Sequence, residues 1–485
     1  MRLTKTQLFI ITALVLLLVP SFFAEPHEDA HKLGRLLPIW SIIPFIGMLL
    51  SIALIPLFKQ HWWEKNRFKI AVIWSLIFLV PFTIGFGPYL AGYCFYEVIV
   101  HDYLPFIILL LGLFTVSGGI VIKGTLVGSP KVNFAILIIG TLLASWIGTT
   151  GASVLLIRPV LRANSWRKKK AHVVVFFIFL VSNMGGALTP VGDPPLFLGF
   201  LRGVPFFWTM QLAPMLILNA AILLSAFFLL DRTLYNKEIA EGNMPPVVGN
   251  KEPVKIEGIH NLIFLFMIIG SVILAGILGK ADSLKDPVSG ETIGIHFAYG
   301  LTIPINILIE MLIILLAAFL SLRTTKKEHH RHNNFNWGPI KEVACVFIGI
   351  FVTMIPVLVI LRAHGEELGI YEPWQFFWAV GILSSFLDNA PTYLVFMTTA
   401  SAVPSVGGLM TYLGPIAPQI LLAVSAGAVF MGANTYIGNA PNFMVRTIAE
   451  DNGVKMPSFF GYMGWACCFL IPLFILNTII FFAPH

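Results

Sequence analysis

Charge is what this chain of 485 residues has least of. Asp, Glu, Lys and Arg together make up 11% of it, where an ordinary soluble domain carries roughly 25%. The four cysteines, Cys94, Cys345, Cys467 and Cys468, sit in or beside apolar runs. Their spacing matches neither a zinc site nor a disulfide framework, so helix-packing filler is the expected role. The sequence shows no phosphate loop, no nucleophile–base arrangement and no soluble catalytic stretch, so it does not read as an enzyme. What fills the space is apolar: 57% of residues are hydrophobic and the mean hydropathy is +0.86. Apolar runs of about 18–20 residues recur along the chain, the length a bilayer demands of a helix. The expected class is an all-α polytopic membrane protein, with the lipid bilayer as its first partner. The net charge of +7 lies in short loops between these runs, where it reports topology and not nucleic-acid binding.

Met1 to Ala24 has a basic start and an apolar core, and reads equally as a cleavable signal peptide or a first transmembrane helix. Later apolar runs fall near 37–58, 69–88, 104–122, 133–160, 172–200, 208–231, 259–279, 294–320, 342–361, 373–400, 419–445 and 462–483. Two of these, 133–160 and 373–400, are long and carry a polar break, "GTTG" and "DNAP". Reading each as a re-entrant hairpin puts Lys123, Lys131 and the dense set Arg158, Arg162, Arg167, Lys168, Lys169 and Lys170 on one side. The great majority of the 31 Lys and Arg residues then lie in cytoplasmic segments, as the positive-inside bias requires. Glu97 and His101 are expected near outer span ends. A cytoplasmic linker, 232–258, separates two halves, 25–231 and 259–485. The histidines His329, His330 and His332 are expected in a second, solvated basic loop.

The two halves repeat each other. "GALTPVGDPPLF" from Gly186 matches "GANTYIGNAPNF" from Gly432 at six of twelve positions, an offset of 246 residues. "SWIGTTGAS" from Ser145 aligns with "SFLDNAPTY" from Ser385 at an offset of 240. Each half therefore reads as three helices, a hairpin (133–160 or 373–400), a broken helix (172–200 or 419–445) and a final helix. That gives five crossings per half, and an odd number inverts the second half relative to the first. Two inverted repeats with interrupted helices point to a secondary transporter whose site lies at the breaks. Unwound backbone is tolerated at membrane depth only where it is buried or lines a cavity.

At those breaks, Asp or Asn before Pro places a capping residue ahead of a half-helix. Asp193 is expected either as such a cap or as a second carboxylate of the site. Asp388 stands between apolar flanks, where an ionised acid costs about 2.5–3.5 kcal/mol on insertion scales, and so implies a cation or a mobile proton. Around it Asn389, Thr392, Thr149, Thr150, Ser182, Asn183, Thr189, Asn434, Thr435 and Asn439, with the backbone at Gly192 and Gly438, offer oxygen ligands suited to a hard cation. Na⁺ is expected at Asp388, Asn389 and Thr149. Glu310, buried in the apolar run "PINILIEMLIILL", reads as a structural hydrogen-bonding group or a proton relay.

The four motifs together resemble those of the ion-transporter superfamily, which holds NhaD-type sodium/proton antiporters, arsenite permeases and the citrate and dicarboxylate carriers. The likeness covers nearly the whole chain. It implies an inverted-repeat homodimer with a scaffold domain and a moving, elevator-type transport domain. The tips Gly148-Thr149-Thr150 and Asp388-Asn389-Ala390 depart from the Ser-Asn-Thr tips usual in dicarboxylate carriers, and Asp388 to Pro391 is similar to the NhaD pattern. The expected activity is exchange of Na⁺ (or Li⁺) for H⁺ across the cytoplasmic membrane, these ions being cargo and no cofactor being needed. Sodium-coupled transport of citrate or another small carboxylate is the alternative.

Overall fold

The computed structural model describes residues 33–246, 252–286, 292–296, 298–333, 335–405 and 407–483; the expected signal or first helix, 1–24, lies outside them. Among the described residues ten helices are long and apolar enough to cross a membrane. The protein is an all-α, multi-pass membrane protein, and the strands among the described residues form short two-stranded ribbons. The chain folds as two compact units, each drawing on both halves of the sequence.

The first unit holds the described residues up to Ile107 together with Leu274–Met311 and Gly338–Leu368. Helix α1 (Ile43–Phe86) packs against a later helix, Gly338–His364. Pro56 removes a helical hydrogen bond, and the axis breaks at Lys59, whose φ of −143° leaves the helical region. The basic stretch that the sequence assigns to a loop after residue 58 instead continues the helix from Phe58 to Phe86. α2 (Pro88–Val98), a π turn at Ile99–Tyr103 and α3 (Leu104–Gly118) then form one apolar span, Pro88–Gly118. Glu97 and His101 lie along this helical stretch, beside the buried Tyr93, Phe95 and Tyr96.

The second unit holds Ile108–Ile273, Leu312–Trp337 and Gly369–His485. Here α4 (Pro130–Ile147) and α5 (Thr149–Ala163) pack side by side about Gly148. That glycine has φ +79°, a conformation a side chain rarely tolerates. The next stretch is α6 (Ala171–Leu180), a 3₁₀ turn at Met184–Leu188 and α7 (Pro194–Leu201). α8 (Ala213–Ala240) runs past the expected linker boundary at 231, and α9 (Asn261–Leu278) follows the linker. α10 (Ile305–Thr324), a short α11 (Lys327–His332) and α12 (Gly338–His364) lead to the second set. That set consists of α13 (Pro373–Phe386) and α14 (Asn389–Ala402), then α15 (Pro418–Met431), a 3₁₀ turn at Gly432–Asn434 and α16 (Ala440–Asp451). α17 (Phe459–Phe481) ends the described chain. A helix of 14 residues, such as α13 or α14, is about 21 Å long, short of a ~30 Å hydrocarbon core.

Contacts within this unit exchange when the two halves are exchanged. α14 lies on α7, and α5 lies on α16. At the breaks, Ser145 Oγ donates to Gly185 O and Ser385 Oγ to Met431 O; Thr189 Oγ1 donates to Ser145 O and Thr435 Oγ1 to Ser385 O. Each pair is related by the same offsets that the sequence motifs show.

Two polar segments, the linker and the histidine stretch, carry ordered structure of their own. The strand Val121–Lys123 pairs antiparallel with Lys255–Glu257 of the linker. His329 is buried and its Nε2 lies 3.2 Å from Glu257 Oε2, so the histidine segment is a docked helix and not a free loop. Among the described residues no group of three or more His, Cys, Asp or Glu is placed to hold a metal. The Lys123 ammonium, 2.8 Å from Glu257, holds that carboxyl below its usual range, with His329 and Lys326 adding to the effect. A depressed carboxylate pKa contributes stability above the unfolded value of 4.5 and loses it as pH falls through the folded one. Thermal unfolding measured from pH 6 downward should therefore show a small acid-side loss that Glu257→Gln removes.

Candidate functional site

Both breaks are forced by sequence. From Val181 to Asp193, and again from Gly432 to Asn439, the chain leaves the α-helix. Glycine lets the unwound strands touch. A Cβ on Gly192 would collide with the carbonyl of Gly186, and one on Gly438 would stand 2.5 Å from Gly432 O and 2.7 Å from Ser384 O. These obstacles are backbone and cannot step aside. Gly192→Ala should cost about 1–3 kcal/mol as overpacking, seen as a lower melting temperature of the purified protein.

Asp193 is the point of convergence. It is 1% exposed. Oδ1 accepts from Thr149 Oγ1 at 2.9 Å and from Asn439 Nδ2 at 3.1 Å, and Oδ2 accepts from Asn389 Nδ2 at 2.7 Å. The donors come from three separate elements: the tip of the first hairpin, the tip of the second, and the start of α16. Asn439 Nδ2 also faces Ser182 O at 3.2 Å and Asn183 Oδ1 at 3.3 Å. Asn183 in turn donates to Asn442 Oδ1 at 2.7 Å, and Ser182 pairs with Ser153 through their hydroxyls at 2.8 Å. Among the described residues no Lys, Arg or His forms an ion pair with Asp193. Among the described residues neither buried Asn389 Oδ1 nor Asn434 Oδ1 has a hydrogen-bond partner.

The structure surrounds the two acids differently. Asp193 occupies the residue before α7 but makes no side-chain cap; its carboxylate is spent on the groups around it. Asp388, half-buried, caps α14 by accepting from Ala390 N at 3.1 Å. The reason is local. Pro194 and Pro195 open α7 and leave few free N–H groups for a cap to satisfy, whereas Ala390 presents one.

Most other expected residues hold the breaks in shape. Thr189 and Thr435 bind the hairpins, Asn434 Nδ2 donates to Ser385 Oγ at 2.9 Å, and Thr392 Oγ1 donates to Asp388 O at 2.9 Å. Gly192 O receives Thr149 N at 2.8 Å, and Gly438 N turns onto Thr435 Oγ1 at 3.2 Å. Thr150 is half-buried beside Thr149. Glu310, 1% exposed with Oε2 unpartnered among the described residues, belongs to the first unit and not to this cluster. Sequence reasoning missed Asn442, though it lies within the repeated motif "GNAPNF", and it missed the load carried by Ser145 and Ser385.

A family model described as "Putative citrate transport" matches residues 34–482. The chain belongs to this family. No curated protein matches the sequence. Membership in the citrate-transport family, with ten helices of crossing length among the described residues, makes the protein a multi-pass membrane transporter. It agrees with the resemblance drawn from the four motifs, each of which lies inside the matched range. Citrate, which the family description names, is a small carboxylate.

Proposed function

We propose that the protein is a secondary active transporter of the cytoplasmic membrane that exchanges Na⁺ (or Li⁺) for H⁺, with Asp193 as the exchanging carboxylate. One observation carries this reading: a fully buried acid whose hydrogen bonds all come from neutral side chains. Hydroxyl and amide donors orient a carboxylate but do not cancel its charge, and an uncompensated charge in an apolar interior is costly. A proton or a sodium ion supplies the compensation, and the two exclude each other at one carboxylate. The unpartnered Asn389 Oδ1, on a side chain already touching Asp193, suits a hard cation. Alternating access of two inverted repeats then carries whichever ion is held. The equivalent hydrogen bonds at Ser145 and Ser385 support that relation. A scaffold and an elevator-type moving domain, in a homodimer, is the arrangement the resemblance implies.

Family membership favours a second reading, sodium-coupled transport of citrate or a related small carboxylate, with the anion near the starts of α7 and α16. Liposomes carrying a trapped pH dye separate the two. Na⁺-driven proton movement without any carboxylate supports exchange. Sodium-dependent accumulation of labelled citrate, with no proton movement from sodium alone, replaces it by the carrier reading.

A further inference from the structure

The two hairpins occupy matching places in the repeat, yet their second arms are fastened very differently. α5 is held at both ends. At its tip Thr149 N donates to Gly192 O at 2.8 Å. At its base Asn164 exchanges amide hydrogen bonds with Asn133 at 2.8 and 3.0 Å, and Asn133 Nδ2 continues to Asp231 Oδ2 at 3.0 Å. The loop that follows buries Arg167 completely. Its guanidinium pairs with Asp231 and, at 3.2 Å, with Glu238 on α8. His172, opening α6, reaches Asp231 Oδ1 at 2.8 Å, and Glu238 also accepts from Lys169 N. One buried cluster thus ties α4, α5, α6 and α8 together.

α14 lacks the ionic part of this arrangement among the described residues; the segment after its base is held instead by the backbone bond of Tyr412 N to Arg202 O at 2.8 Å. Among the described residues no backbone bond joins Asn389 N to Gly438 O, and Leu387 is half-buried where its counterpart Ile147 is buried, while Phe386 and its counterpart Trp146 are both exposed. The segment after its base, Val403 to Ala417, contains no charged residue. Asn477, which stands 246 residues beyond Asp231, is buried with neither side-chain amide atom bonded among the described residues. At the tip, the side-chain tie of α14 across to the first repeat is Asn389 Nδ2 to Asp193. That tie ends on the carboxylate that an incoming ion neutralises.

We propose that α14 with the tip of the second hairpin is the gate of this transporter, while α5 stays clamped by the Arg167 cluster and does not open. The proposal rests on the reading that the ion binds at Asp193. Opening breaks the Asn389–Asp193 hydrogen bond. Rotation of the Asn389 amide about its terminal bond turns Oδ1 toward a bound cation and closes the gate again, so site occupancy and gate position are linked. The ionic cluster at the base of α5 makes the asymmetry a property of the fold and not of one side chain.

Thiol labelling of full-length protein in detergent tests this, with the four native cysteines replaced by alanine. Leu387→Cys reports the second tip and Thr150→Cys the first. Both positions are half-buried here, so static exposure alone predicts similar rates with a water-soluble maleimide. The gate predicts labelling at position 387 about tenfold faster, through a local opening that position 150 lacks. Equal rates, or faster labelling at 150, overturn the proposal. Adding NaCl in place of choline chloride should slow labelling at 387; a large 387/150 ratio that sodium leaves untouched keeps the gate and contradicts the ion site at Asp193. Arg167→Met should raise labelling at 150 toward the rate at 387. If that variant does not fold, the comparison in the Arg167 background still decides.

Discussion

Asp193→Asn should abolish sodium-dependent proton movement while leaving a folded protein. The substitution keeps the side chain's shape and one acceptor oxygen. The amide it introduces meets Asn389, whose unpartnered Oδ1 can turn to accept from it, so the contact between the two side chains survives. What is lost is the charge. Compensating a carboxylate in an apolar interior is worth about 2.5–3.5 kcal/mol on insertion scales, which corresponds to about a hundredfold in ion affinity. Asp388→Asn should behave otherwise. Asn caps helices as well as Asp does, so the bond to Ala390 N survives and transport should fall by only a few-fold. Dye-quench assays in liposomes on both variants, with melting curves as a folding control, check the contrast. Equal and complete loss in both would return the exchanging role to Asp388.

Arg167→Met should be the most destabilising single change outside the site. Removing one partner of a buried ion pair costs about 3–5 kcal/mol, because the remaining charge keeps its desolvation penalty. Here two carboxylates, Asp231 and Glu238, would lose their cation together. Restoring the balance by adding Asp231→Asn and Glu238→Gln should recover much of the loss. The readout is the melting temperature of purified protein, and failure of the triple variant to recover would mean that Arg167 acts by packing alone.

Much of this was legible in the sequence, for physical reasons. Glycines and prolines inside apolar runs have no place in an uninterrupted span, so "GALTPVGDPPLF" and "GANTYIGNAPNF" announce unwound segments, and their repetition announces a second copy. The grouping of Thr149, Ser182, Asn183, Asn389 and Asn439 follows from that repetition. The division of labour between Asp193 and Asp388 was not legible. Both stand where a cap belongs, and what separates them is set by partners such as Asn389 and Asn439, 196 and 246 residues from Asp193. Arg167 was hidden for a different reason. A count of basic residues treats it as one charge in a cytoplasmic loop, and cannot see that Asp231 and Glu238 fold back to bury it. The polar run after residue 58 misled in the opposite sense, since a helix can carry charges at its solvated end without breaking.

If one carboxylate holds either a proton or sodium, binding of the one must displace the other. Purified protein in weakly buffered detergent, titrated with NaCl at constant ionic strength, measures this without any flux. One proton should be released for each sodium bound in the unmodified protein and none in Asp193→Asn. Sodium binding with no proton release, or release unchanged in that variant, would contradict it.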